Sequence, residues 1–193
     1  MSTLTPTLTL TGTAADFGAK LALSVTDSLA LATTSIVHNS QEVMSSTAHT
    51  TIAALGDYTK SYVFLKNLSS TANQIITITG RSFSSATVDY NNDPTTTMDA
   101  ADMLNKLVVG MSIHGTDIPA ETTVASITNT TTFEASATIG ASGAQSNVTC
   151  VFGEQMMTLG AGEFAFFPWA STYDLGAFCA TGTPTLEVRI FQA

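Results

Sequence analysis

A Thr-rich stretch, about Met103 to Cys150, interrupts a second β pattern built on large aromatics, which starts near Tyr58 and resumes only toward the C-terminus. That interruption constrains the fold more than any other feature. The simplest chain that carries it is one sandwich made from both ends, with a small module set into it. Residue types agree, since about one residue in six is Thr and a β-branched side chain loses less freedom on a pleated strand than on a helix. Only 11% of residues are charged against 44% hydrophobic, and Thr, Ser and Gly stand where a helical surface carries Lys and Glu. At 193 residues there is room for one sizeable core, or a core and a satellite. The expected fold is all-β: an antiparallel β-sandwich, jelly-roll-like, from 1–90 plus 152–193, with an inserted β-barrel-like module over 91–151.

Along the chain, Thr3 to Thr11 puts Leu4, Leu8 and Leu10 on even positions with Thr or Pro6 between them. Period two gathers these leucines on one face. Pro6 has no N–H for a ladder, so the segment is an edge strand or an arm, within 1–16, that reaches a neighbouring subunit. Leu4, Leu8 and Leu10 are therefore the candidate partner contacts. The segment Ile36 to Thr51 has no clean period. Tyr62–Asn67 and Ile75–Thr79, separated by the turn-forming Ser69 to Asn73, read as a hairpin ended by Gly80-Arg81-Ser82. Asp89 to Pro94 makes a polar boundary. Met98 to Lys106 is the best helical candidate, with Asp early and Lys late.

Within the module, Leu107–Ile113, Thr122–Ile127, Thr131–Ser136 and Asn147–Phe152 read as short strands, enough for a small barrel or sheet. After it, Gly160-Ala161-Gly162 is a turn, and Phe164 to Trp169 is a strand that Pro168 stops. Asp174–Cys179 and the alternating Leu186, Val188 and Ile190 supply two more. The aromatics Phe164, Phe166, Phe167 and Trp169 are either sandwich core or an apolar patch that meets a partner.

The formal charge is −9, with six basic residues scattered along the chain. They are too few to neutralise many phosphates, which argues against nucleic-acid binding, and no polybasic cluster suits an anionic membrane. The N-terminus has no signal-peptide pattern, and no stretch approaches a membrane span. Cys150 and Cys179 share no metal or redox spacing and read as small buried hydrophobes, with a disulfide left open; a reducing cytosol fits them.

Chemistry is sparse. His38, His49 and His114 show no His-x-His or His-Glu-x-x-His spacing, and His114 falls in a turn at a strand end, so no metal or catalytic role is assigned. Asp89, Asn91, Asn92 and Asp93 lack the Gly and distal Glu of a calcium loop. Gly-x-Ser-x-Gly is absent. No cofactor is implied, and the expectation is a protein without enzymatic activity.

The run Leu107 to Ile127, with Val109-Gly110-Met111, Gly115, Ile118-Pro119-Ala120-Glu121-Thr122-Thr123-Val124 and Ser126-Ile127, resembles a β module of structural proteins of tailed bacteriophages. Pro and small residues there make the tight crossing between two strands, and Thr-Thr-Val begins the second. This chain departs at Glu121, where the family carries Gly, the residue suited to positive φ. The strand at Tyr62–Asn67, Gly162-Glu163-Phe164 and the ending Leu186 to Phe191 are similar to phage head and tail accessory proteins. The resemblance implies a virion structural protein, assembled in the host cytoplasm, that decorates or cements the capsid. Its partners would be the major capsid protein and copies of itself, as a homotrimer at local threefold points. A tail or fibre component contacting the host surface is the alternative, and a carbohydrate-active domain is the competing reading from another class.

Overall fold

The computed structural model describes residues 2–12, 21–31, 38–46, 48–90, 95–100, 106–140, 145–170 and 172–193, and no helix occurs among them. The strands are β1 (Ser2–Leu4), β2 (Thr7–Gly12), β3 (Leu21–Thr26), β4 (Leu29–Leu31), β5 (His38–Val43), β6 (Thr50–Ala53), β7 (Ser61–Asn67) and β8 (Ile76–Tyr90). They continue with β9 (Thr95–Ala100), β10 (Ser112–His114), β11 (Val124–Ile127), β12 (Thr132–Ile139), β13 (Gln145–Leu159), β14 (Phe164–Trp169), β15 (Asp174–Cys179) and β16 (Thr185–Gln192).

Two antiparallel sheets form a sandwich. One has the order β14-β7-β16-β5; in the other, the first half of β8 lies between β13 and β15, and β15 pairs in turn with β6. Connections between consecutive sandwich strands cross from one sheet to the other, except that β8 and β13, linked through the barrel, are neighbours in one sheet, and the order of the two four-stranded layers is that of a jelly roll. Period two produces the core. In β7, Ser61, Val63, Leu65 and Asn67 are buried and alternate with half-exposed Tyr62, Phe64 and Lys66. Val63, Leu65, Leu186, Val188 and Ile190 from one layer meet Ile76, Ile78, Leu159, Leu175 and Ala177 from the other.

A second core lies beyond the sandwich. The far halves of β8 and β13 continue into a path β10-β13-β8-β9-β12-β11. Its two ends join through the bridge Ser112↔Thr123, with Ile113 N donating to Thr122 O and Val124 N to Met111 O, each at 2.8 Å. Six strands thus close a barrel, filled by Met98, Met111, Ile113, Val124, Phe133, Ile139, Cys150 and Phe152. Val88, Tyr90 and Phe152, outside 91–151, also belong to this cluster, because β8 and β13 serve both cores. Cys150 is buried in the barrel and Cys179 in the sandwich, both as free thiols.

Several local expectations are corrected. Tyr62–Asn67 and Ile75–Thr79 do not form a hairpin: β7 pairs with β14 and β16, and β8 with β13, β15 and β9. Both segments bury the same kind of face on one core, so their alternation is the same whether they pair or oppose across it. Asn67 holds the crossing, its Nδ2 donating to Gln74 O (2.8 Å) and Leu159 O (3.0 Å) while Oδ1 accepts from Ser69 N (3.0 Å). Gly80-Arg81-Ser82 does not end a strand but bulges β8, with Arg81 at φ 47°.

The helix expected at Met98 to Lys106 is absent at its start, where Met98–Ala100 lie in β9; residues 101–105 fall outside the described residues. Met98 and Ala100 are fully buried and Asp99 is exposed, a period of two that overrides helix propensity. Leu107 to Met111 is a turn rather than a strand, with Gly110 at φ 92°. Pro168 does not stop β14, an edge strand where a missing donor is tolerated.

Candidate interaction surfaces

The N-terminal leucines belong to a ribbon of two strands. One register runs without a bulge from Ser2↔Leu31 through Leu4↔Leu29, Thr7↔Thr26 and Leu8↔Val25 to Gly12↔Leu21, and Leu10 pairs with Leu23 in the same ladder. Pro6 breaks the strand assignment but not the register, since its carbonyl accepts Asp27 N at 3.2 Å. Directly opposed residues share a face. Leu4, Leu8, Val25 and Leu29 therefore stand on one side with Asp27, and Thr3, Thr7 and Thr26 on the other, where Thr7 Oγ1 and Thr26 Oγ1 are hydrogen-bonded at 3.1 Å. Leu8 is 47% and Val25 50% exposed. A lone two-stranded ribbon is at best marginal in water, so this apolar side calls for a cover.

The outer face of the β14-β7-β16-β5 sheet is the second apolar surface. Strand β14 splits its aromatics: Phe167 and Trp169 pack on the sandwich core, whereas Phe164 (58% exposed) and Phe166 (37%) point outward. Register sets Phe166 beside Phe64 and Arg189, and Pro168 beside Tyr62 and Phe191. The rings form diagonal stacks, Tyr62 on Phe166 and Phe64 on Phe164, each with centroids 6.0 Å apart. Arg189 lies 6.0 Å over Phe64 and pairs with Glu187, and Lys66 occupies the next row. Half of the aromatic run is therefore sandwich core, and the other half is an exposed apolar patch.

Between the two cores lies a polar waist that sequence spacing could not reveal. His49, just before β6, and His114, the last residue of β10, have ring centroids 5.7 Å apart, and the Phe178 ring is 4.3 Å from that of His114. His49 Nε2 is 2.7 Å from Thr79 Oγ1 and 3.3 Å from Ser82 Oγ. Its ring packs so closely on the backbone at Gly176 that a Cβ there would clash with Cε1. Burial lowers both imidazoles to about 4, and their mutual repulsion adds to the shift of His49. Sixty-five residues of sequence separate the pair, so only the fold joins them. No group of three or more His, Cys, Asp or Glu that could hold a metal occurs among the described residues.

The remaining candidates are occupied locally. Asp89 Oδ1 accepts Asn147 N at 2.7 Å, and residues 91–93 lie outside the described residues. His38 bonds Ser40 Oγ at 2.8 Å. A cleft of about 310 Å³ beside the waist is lined by Arg81, Lys106, Tyr173 and Asp174, and Asp174 there accepts Leu55 N at 2.5 Å. Glu121 keeps the left-handed geometry that Gly would adopt freely, at φ 62°, in a turn where Thr122 N bonds Pro119 O. No protein-family model, curated protein or solved structure matches this chain.

Proposed function

We propose that this chain is a structural subunit of a tailed-phage virion, a decoration or cement protein that binds the assembled head shell. The observation that carries the reading is the amphipathic ribbon, whose apolar side is exposed at Leu8 and Val25 while its other side is mostly Thr and Ser. Such a device adds contact area to a neighbour while the body stays folded. The resemblance of Leu107 to Ile127 to a phage module supports it, and jelly rolls recur in viral shells, although they recur in lectins and cupins too. Binding the closed lattice and not its free subunits would stabilise the shell by mass action, about 2.7 kcal/mol at a hundredfold excess over Kd.

Deleting Ser2 to Thr11 tests the role of the ribbon. Sedimentation with purified shells should show affinity reduced at least tenfold, with the circular dichroism of the sandwich retained. Equal shell binding by the shortened chain would overturn the assignment.

A further inference from the structure

The chain leaves two apolar faces open, and they match each other. We propose that the ribbon of one copy docks across the aromatic platform of the next, so that each subunit donates its ribbon strands, residues 2–12 and 21–31, and accepts those of a neighbour. This deepens the reading of the chain as a structural subunit and rests on it.

Three observations favour a second copy as the occupant. The ribbon and the platform are both exposed within a single chain, at Leu8 and Val25 on one and at Phe164 and Phe166 on the other, so neither covers its counterpart intramolecularly. Charge is complementary. The platform carries Lys66 and Arg189 against Glu187, an excess of cations in a chain of net charge −9 with only six of them. The ribbon places Asp27 on its apolar side, in the row between Val25 and Leu29. Docking would set that carboxylate where Arg189 and Lys66 can meet it, and the branched side chains of Leu4, Leu8, Val25 and Leu29 over the rings of Tyr62, Phe64, Phe164 and Phe166.

Area gives the third. A face two strands wide and about ten residues long covers on the order of 300 Å², below the ~800 Å² per partner of a standard interface. One such contact is too small for a stable pair. Donating once and accepting once brings the area per subunit to about 600 Å², nearer that figure than one contact alone, which favours a closed ring of copies over a single pair. The contact is heterologous, ribbon to platform, and closes when the rotation allows.

Cross-linking between differently marked copies tests this. Chains carrying Leu8→Cys are mixed with chains carrying Phe164→Cys and treated with a short bis-maleimide; both native thiols are buried. The mixture should give a cross-linked dimer at least ten times more abundantly than either variant alone. In parallel, sedimentation should show the unmodified protein as an oligomer, and Phe164→Asp with Phe166→Asp as a monomer with unchanged circular dichroism. Cross-linking of Leu8→Cys alone would indicate ribbon on ribbon, that of Phe164→Cys alone platform on platform, and a monomeric unmodified protein no self-contact; each overturns the proposal. Shell binding is not read in any arm, so its loss bears only on the proposed function.

Discussion

At the scale of single residues, the waist histidines are the groups most sensitive to conditions. Both titrate near 4 in the folded chain against about 6.5 in the unfolded one, because burial disfavours the imidazolium. Between those values the unfolded state binds more protons, so stability is fully present above pH ~6.5 and is lost as the pH falls toward 4. The expected slope is on the order of 2 kcal/mol per pH unit for the pair. Urea denaturation at pH 7 and pH 5 checks this, and His49→Gln should flatten the dependence by about half. Equal stability at the two pH values would sink it. The sequence offered nothing here, since pairing His49 with His114 requires the bulge of β8 and the closure of the barrel. Glu121 is the opposite case: the motif marks a left-handed turn position, and the residue type alone speaks against it.

Among elements, legibility followed period two. Val63 and Leu65 of β7 and Leu186 to Ile190 of β16 were readable because one face is wet and the other is not, and Leu4 and Leu8 because Thr and Pro alternate with them. Strand pairing was not. The link from β7 to β8 has the turn chemistry of a hairpin but passes between layers, and what distinguishes the two is Asn67, a buried amide that bonds the carbonyls of Gln74 and Leu159. Asn67→Ala should destabilise the protein by about 2–3 kcal/mol, because two carbonyls lose a buried donor and the Ser69 amide its acceptor. A loss below about 0.5 kcal/mol in chemical denaturation would show that the crossing does not depend on it. The helix expected from Met98 failed for a related reason, as the buried alternation of Met98 and Ala100 outweighs local propensity.

For the whole molecule, the two long strands are decisive. Each of β8 and β13 has 15 residues and runs from the sandwich into the barrel. Neither core can lose its central pair without fraying the other, so heat or urea should unfold both together. Phe133→Ala, which empties the barrel core of a fully buried ring, should cost about 3–5 kcal/mol and shift the near-ultraviolet signal of Trp169, which packs on the sandwich, to the same midpoint as the far-ultraviolet signal. Two separated midpoints would show independent units.

The connectivity of the jelly roll also bears on biosynthesis. The last strand, β16, lies between β5 and β7, and apart from β8 and β13 no two successive strands of the sandwich are partners. Little of this layer pair can therefore close while the polypeptide is still emerging from the ribosome, and its long-range pairings make maturation slow. Until β16 emerges, the ribbon, made earlier, exposes its apolar side on an unfinished body, at the stage when premature association with siblings is most costly.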